Sequence, residues 1–251
     1  MSEWDYWVDV DGIEFDGTDS NTIPAITLTK DTGLFGGVSM RREQTDRPST
    51  HGSFFTPGLL SGRAITLEGE IYTRSPGEQV EFIGMLESLL ATGEYGTMTA
   101  RRGGQNVAIE VGRLGAPTIS IDRWGLLARY SIQFWAPDPI WTGESEPVGP
   151  GTSLLLQHRG NFPSPPVFKL TGTGGYTIAA PGGRSYVVTT PLAAGSTDVI
   201  DMADGWVRRN GQVLMGAASR AETWEIPPGP GWQHTITGSV QATAWTPDRF
   251  A

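Results

Sequence analysis

His51 lies among the residue types that nucleophilic catalysis requires, because Asp46, Ser49 and Ser53 are close to it in the sequence. Members of a Ser–His–Asp triad usually converge from separate elements, however. Neither a G-x-S-x-G elbow nor an oxyanion loop is recognisable in this chain. We therefore predict a turn histidine that forms local hydrogen bonds and takes part in no chemical step.

Two sets of carboxylates have the spacing of other kinds of site. Residues 9–12 (Asp-Val-Asp-Gly) resemble the start of a calcium loop, but Ile13 occupies the next ligand position and Ser20 the twelfth. Glu68 and Glu70 share one face of a predicted strand, so they cannot flank a sugar from opposite sides as glycosidase carboxylates do. The sequence predicts no catalytic, metal-binding or cofactor-binding residue, and hence a protein that is not an enzyme.

The charge of the chain is acidic, formally −9, and unevenly distributed. Residues 1–20 hold seven carboxylates and no basic residue, which we interpret as a solvated acidic arm. Of the 18 cationic residues, all but Lys30 and Lys169 are arginine, the residue better suited to interfaces. The basic surface that nonspecific nucleic-acid binding needs is missing, although DNA can pass an acidic protein without being bound.

The absence of cysteine excludes a disulfide framework and thiolate metal sites. No signal peptide or long apolar run is recognisable, so we expect synthesis in the cytoplasm without membrane insertion.

Alternation of apolar and polar residues favours β-strands along most of the chain, and 34 Gly and 18 Pro supply the turns. The pattern is clearest in residues 65–71, 107–111 and 126–135. In the last of these, one face is predicted to carry Leu126, Ala128, Tyr130, Ile132 and Phe134.

One segment has helical periodicity instead. Residues 75–78 (Ser-Pro-Gly-Glu) form a capping box with proline at the first helical position, and Gly93 can end the helix. The predicted apolar face consists of Phe82, Ile83, Leu86, Leu89 and Leu90. Because a single amphipathic helix must pack on a sheet, residues 1–140 are predicted to form a β-sandwich or split barrel with one packed helix.

Residues 141–151 are rich in Pro and Gly and are predicted to be a linker. The short apolar runs that follow predict an all-β sandwich over residues 152–251, so the fold class is mostly β. Four tryptophans of this second part lie near turns and are candidate recognition aromatics: Trp206, Trp224, Trp232 and Trp245. They would stack on sugars or anchor a protein interface, and filling the sandwich core is the alternative.

Residues 42–52 (Arg-Glu-Gln-Thr-Asp-Arg-Pro-Ser-Thr-His-Gly) and 57–63 (Pro-Gly-Leu-Leu-Ser-Gly-Arg) resemble the siphophage distal tail protein family. The capped helix follows at the family's expected distance, and residues 134–139 resemble the end of its first domain. The resemblance implies interface or structural roles for Arg42, Asp46, Arg47, His51, Gly52, Gly62 and Arg63.

The same resemblance implies a tail-tube-like first domain, six copies of which close into a ring. An extended belt would bridge adjacent subunits, and a galectin-like second domain would point outward, where receptor-binding or tail fibre proteins attach. The ring would lie at the virion tail tip, between the tail tube protein and the tail-associated hub protein, with the tape measure protein as a further partner. DNA would pass through it without specific binding.

Two alternatives remain open at this level. Arg41, Arg42, Arg47 and Arg63 are opposite in sign to residues 1–20, so the two groups could meet across a ring interface, within one chain or between subunits, or be solvated independently. The competing function is a carbohydrate-binding module of a phage adhesion device, with a host saccharide as its ligand and one copy sufficient.

Overall fold

The computed structural model describes residues 7–16, 23–102 and 104–251. It is mostly β with one α-helix in these ranges, which confirms the predicted fold class. The chain divides into two compact units, the first comprising Met1–Trp141 together with Ala251 and the second Thr142–Phe250. No helix of the described ranges is both long enough and apolar enough to cross a bilayer.

Over its described residues, the first unit contains ten complete strands and the helix. Their bounds are β1 Trp7–Val10, β2 Ile13–Asp16, β3 Ala25–Thr32, β4 Met40–Arg41, β5 Leu59–Leu60, β6 Arg63–Tyr72, α1 Pro76–Ser88, β7 Gly96–Arg102, β8 Gln105–Arg113, β9 Thr118–Ile121 and β10 Leu127–Ala136. The three clearest predicted strands correspond to β6, β8 and β10.

Seven of these strands form a closed barrel in the order β8-β7-β1-β2-β3-β6-β10. The sheet closes where β10 pairs with β8, through Phe134 opposite Arg113 and Trp135 opposite Gly112. Alternate residues of each strand fill the interior, as in β10, where Tyr130 is 3% exposed and Ile132 is fully buried. Of the two predicted alternatives, a sandwich and a barrel, the barrel is therefore the one observed.

Helix α1 begins as its sequence predicts. The Ser75 hydroxyl accepts a hydrogen bond from the Glu78 amide at 3.2 Å, while the Glu78 carboxylate accepts one from the Arg74 amide at 2.8 Å. Leu86 and Leu89 of the predicted apolar face are buried. The helix ends at Ser88, before Gly93, because Leu90 already adopts a left-handed conformation with φ 49°.

The acidic N-terminal segment is not a solvated arm where the structure describes it. Residues 7–16 form the β1–β2 hairpin of the barrel, with Val8, Val10 and Phe15 fully buried. Asp11 and Gly12 have φ of 51° and 88°, the left-handed pair that a tight hairpin turn requires. Glu3, Asp5 and Asp19 lie outside the described residues.

The second unit is an all-β sandwich. Its elements are β12 Val148–Gly151, β13 Ser153–Leu156, β14 Val167–Ala180, a 3₁₀ turn Pro181–Gly183, β15 Arg184–Leu192, β16 Thr197–Asp201, β17 Val207–Arg209, β18 Gln212–Val213, β19 Ala218–Ala221, β20 Trp232–Trp245 and β21 Arg249–Phe250. Before them, the short strand β11, Trp141–Gly143, spans the boundary between the units. Within the predicted linker, residues 148–151 belong to a strand paired with β20.

Two long strands create the two layers of the sandwich. Along one half, β14 and β20 pair with each other and continue through β16 to β17 and β18; along the other half they continue through β15 to β19. Register shifts near Gly172 and Gly238 mark the bend between the halves. A Cβ at Gly172 would lie 2.3 Å from the Ser239 carbonyl oxygen, so only glycine fits this crossing.

Candidate functional site

The segment that carries the sequence motif forms an exposed hairpin, residues 39–61. The pairing of β4 with β5 defines its base, and Asp46 bridges to Ser53 near its end. Hydrogen bonds between the two arms include Phe54 amide to Thr45 carbonyl at 2.9 Å. Every residue from 39 to 52 is exposed, so the hairpin lacks a hydrophobic core of its own over this length.

Two arginine–aromatic stacks line the hairpin. The Arg42 guanidinium carbon lies 5.7 Å from the centre of the Phe55 ring, and that of Arg47 lies 5.8 Å from the centre of the Phe54 ring. Phe55 is 84% exposed and Phe54 55%. Each exposed stack contributes about 0.5–1 kcal/mol. These four side chains line a basic aromatic cleft of about 330 Å³, in which the two arginines outnumber the one carboxylate, Glu43; the rest of the lining is Gln44, Ser53 and Thr56.

His51 lies at the exposed end of the hairpin and not beside a nucleophile held for catalysis. The adjacent Gly52 has φ 90°, a conformation that favours glycine, and its carbonyl accepts a hydrogen bond from the Arg47 amide at 3.0 Å. Asp46 takes part through its backbone bridge to Ser53. His51 therefore lies in a turn, and the role of its side chain stays a prediction.

Arg63 is separated from the other arginines by burial, with 4% of its surface exposed. Its Nη1 donates to the carbonyls of Gly33, Leu34 and Gly36 at 2.9, 3.2 and 2.8 Å, and its Nε donates to that of Pro139 at 3.1 Å. The predicted four-arginine cluster is therefore wrong in one member. Arg63 ties two loops to the barrel, while Arg41, Arg42 and Arg47 are exposed on the hairpin.

Gly62 has a steric role at the base of the hairpin. A Cβ at this position would lie 2.2 Å from a ring carbon of Trp135 on β10. In the Gly62–Arg63 pair of the motif, Gly62 allows the backbone to lie close to Trp135, and Arg63 forms buried hydrogen bonds. Both residues fix the base of the exposed hairpin on the barrel.

The barrel also presents an acidic cleft, which sequence reasoning missed. Trp7, Asp9, Glu14 and Thr99 line a space of about 260 Å³ on the outer face of β1, β2 and β7. Asp9 lies opposite Glu14 on one side and Thr99 on the other. The available signal was the Asp11-Gly12 turn between two alternating segments, which would have placed these carboxylates on one strand face.

The remaining candidate carboxylates are paired on the surface. Lys30 Nζ lies 3.0 Å from Glu68, and Arg129 Nε lies 3.0 Å from Glu70. Hydrogen bonds from the Tyr72 hydroxyl and from Arg129 lower the pKa of Glu70 below its usual value. A general acid of a glycosidase needs a raised pKa instead. Among the described residues, no group of three or more His, Asp or Glu side chains could hold a metal ion.

The four candidate tryptophans differ in exposure. Trp224 is 4% exposed and packs against Phe168 and His234. It is therefore a core residue and is not accessible for recognition. Trp232 packs partly on the same core and lies under the Arg184 guanidinium. Trp245 is half-buried, and Trp206 is 45% exposed. Trp206 is therefore the most accessible of the four.

The second unit buries one charged network inside the sandwich. Arg209 donates to both carboxylate oxygens of the fully buried Asp198, at 2.8 and 2.9 Å, and the Tyr176 hydroxyl donates to the same group at 2.8 Å. Hydrogen bonding to Asp198 raises the pKa of Arg209, and burial raises that of Tyr176. A fully satisfied network of this kind fixes the relative positions of its strands.

This two-unit fold matches solved structures of phage proteins. The Dit protein of phage SPP1, described as a hub of the adsorption apparatus in phages that infect Gram-positive bacteria, matches with a TM-score of 0.75. The match covers 98% of this chain and 99% of that one, at 15% identity.

Two structures of the phage P2 baseplate in its activated conformation, one with Ca and one with Sr, also match. Their TM-scores are 0.54 and 0.52 at 10% identity, over 97% and 96% of this chain and 97% of the matched chain in both cases. No family model matches the sequence, and no curated protein matches it. The predicted resemblance is thus confirmed at the level of the fold.

Proposed function

We propose that this chain is a non-enzymatic structural protein of a tailed-phage virion, a distal tail protein that connects the tail tube to the adsorption apparatus. The observation that carries the proposal is the end-to-end match to the SPP1 Dit protein, which includes both units. A shared arrangement of two units over the whole length is more specific than a likeness of either sandwich or barrel alone.

In this role, residues 1–140 form a ring of six copies at the virion tail tip. The exposed hairpin acts as the belt that bridges neighbours. It presents Met40, Phe54, Phe55 and Leu59 at 55–84% exposure. Contiguous apolar residues of this kind on a two-stranded hairpin need a partner surface, because an isolated hairpin is only marginally stable in water.

The partners that follow from this role are the tail tube protein, the tail-associated hub protein and the tape measure protein. Residues 152–251 serve as the peripheral domain to which receptor-binding or tail fibre proteins attach. DNA passes through the ring without specific binding, which the formal charge of −9 favours, because a basic lining would hold phosphate.

Ring formation is tested by imaging the purified protein and assembled tails by electron microscopy, together with native mass spectrometry. The expected result is a six-membered ring at the end of the tube. The matched control replaces residues 42–57 with a short turn between β4 and β5, which leaves the barrel strands unchanged. That variant should keep its β-sheet circular dichroism and remain monomeric. A different stoichiometry at the tube end would contradict the proposal.

The division of labour between the units is tested by truncation. Trp141 is fully buried and donates to the Leu34 carbonyl at 2.8 Å, so the shortened chain should end after Gly143 and not before Trp141. Phage carrying it should build tails of normal length and lose adhesion components. Normal adsorption would show that the second unit is only an appendage.

The second candidate function is a carbohydrate-binding module, and the exposure of Trp206 is the observation that favours it. Glycan arrays with the wild type and the Trp206→Ala variant decide this point. Saccharide binding by a monomer that never assembles would favour the module over the ring component.

A further inference from the structure

The exposed hairpin has the chemistry of a surface that needs an acidic partner. Arg42 and Arg47 stack on Phe55 and Phe54, which orients two guanidinium groups around one cleft. Glu43 lines the same cleft, but within the described ranges neither arginine forms an ion pair with it or with another carboxylate of its own chain. Stacked arginine keeps its donors available, so the cleft is prepared for planar carboxylate groups.

The barrel surface offers a matching chemistry. Its acidic cleft contains two carboxylates, Asp9 and Glu14, beside the half-buried Trp7. Neighbouring positions of β2, β8 and β7 carry Asp16, Glu110 and the cation Arg101, respectively, so carboxylates outnumber cations among the residues named here. The face therefore combines net negative charge with an aromatic ring, the complement of a cleft that combines positive charge with aromatic rings.

The two surfaces belong to different parts of the same unit, so each chain carries both halves of a contact. No ion pair joins them within one chain over the residues that the structure describes. The part of the hairpin from residue 39 to residue 50 spans up to about 35 Å at roughly 3.3 Å per residue, which is enough to reach beyond its own barrel. A contact between two different surfaces is heterologous and generates rings when its rotation closes.

We propose that the occupant of the acidic cleft is the hairpin of a second copy of this chain, with Arg42 and Arg47 directed at Asp9 and Glu14. Phe54 and Phe55 pack beside Trp7 in this contact. The inference rests on the ring of the proposed function and adds the surface that receives the hairpin. Every subunit donates its hairpin to one neighbour and accepts the hairpin of the other.

Charge reversal provides a direct test because each half of the contact can be inverted separately. The hairpin variant is Arg42→Glu with Arg47→Glu, and the cleft variant is Asp9→Arg with Glu14→Arg. Each alone should raise the concentration needed for assembly at least about tenfold, because like charges then face each other. Mixed in equal amounts, the two variants should assemble again, as an alternating ring in which three copies of each close the circle.

The control is Arg74→Glu with Arg123→Glu, an equal change of charge at two exposed arginines outside both clefts. It should assemble as the wild type does. Circular dichroism of each variant establishes that the fold is retained. If the hairpin variant assembles like the wild type, or if mixing fails to restore assembly, the proposed contact is wrong, but the proposed ring is not contradicted. If the wild type assembles at no concentration and in no tail, the proposed function fails with it.

Cross-linking gives a second measurement that requires no stable ring. The chain contains no cysteine, so single cysteines can be placed at will. Ser53→Cys protein mixed with Thr99→Cys protein should yield a bismaleimide-linked dimer. Ser53→Cys mixed with Ser219→Cys, an exposed position of the second unit, should not. Equal yields in both mixtures would overturn the proposed contact.

Discussion

The two units differ in where their charged clusters lie. The first places Arg42 and Arg47 in the cleft of the exposed hairpin and Asp9 and Glu14 in the acidic cleft of the barrel. The second buries Asp198 and pairs it with Arg209 and Tyr176. Buried, fully bonded charges contribute to specifying a fold, whereas exposed charges of one sign contribute little to stability and are available to a partner. The comparison therefore separates charges that stabilise the fold from charges that are available to a partner.

The largest expected effect on stability is in the second unit. Asp198→Ala leaves Arg209, of which 19% of the side chain is exposed, without its carboxylate. We expect the free energy of unfolding to fall by about 3–5 kcal/mol, measured by urea denaturation followed through tryptophan fluorescence. The matched control is Asp204→Ala, which removes the surface partner of Arg208 and should cost about 1 kcal/mol or less. Equal losses would contradict the contrast between a buried and an exposed ion pair.

The core of the second unit should also make its stability depend on pH. His234 is fully buried, and its Nε2 accepts a hydrogen bond from Trp224 Nε1 at 3.1 Å while its Nδ1 donates to the Trp232 carbonyl at 3.0 Å. The ring is therefore neutral. Burial lowers the pKa of His234 from 6.5 to about 4.

Above pH 6.5 both the folded and the unfolded chain hold His234 neutral, and its contribution is fully present. Between pH 6.5 and about 4 the unfolded chain binds a proton that the folded chain does not, so stability falls as the pH falls. The loss reaches about 3 kcal/mol at most, at 1.36 kcal/mol per pKa unit. Thermal unfolding of the wild type and of His234→Gln over this range checks it, and an unchanged pH slope in the variant would contradict the assignment.

A smaller effect is expected where the exposed hairpin joins the barrel. Gly62→Ala places a methyl group against Trp135, which should cost about 1–3 kcal/mol of unfolding free energy. Gly84→Ala in helix α1 is the control, since no atom lies within 4 Å of its Cβ position and alanine favours a helix. The same denaturation experiment compares them. A neutral Gly62→Ala would mean that Trp135 can move away.

The sequence predicted the parts of the fold that are encoded locally. The alternation of β10 and the capping box of α1 both specify their elements through near neighbours. Barrel closure is different, because it depends on a two-residue pairing between β10 and β8 that no periodicity marks. Periodicity also did not predict that the hairpin is exposed, because arginine and phenylalanine fit equally well at the edge of a core and in an interface.

The site was predicted unevenly for the same reason. Residue type singled out Arg63, but only the fold shows that it is buried against three loop carbonyls. Trp224 and Trp206 both lie near turn residues outside the strands, and their exposures of 4% and 45% follow from tertiary packing, which no local pattern marks. Composition predicted that residues 1–20 and the arginine-rich segment have opposite charges, but not the acidic cleft. The wrong prediction of a solvated arm came from counting carboxylates without considering the Asp11-Gly12 turn.

The smallest expected effect on stability belongs to His51. Because its side chain is exposed at the end of the hairpin, His51→Ala should change the free energy of unfolding by no more than about 0.5 kcal/mol. Any effect on ring assembly therefore reports on contact with a neighbour and not on folding. We expect assembly to weaken while the thermal melting curve is unchanged, with Thr50→Ala at the adjacent exposed position as the control. If both substitutions leave assembly intact, the end of the hairpin lies outside the interface, and the contact is confined to the clefted part between Arg42 and Thr56.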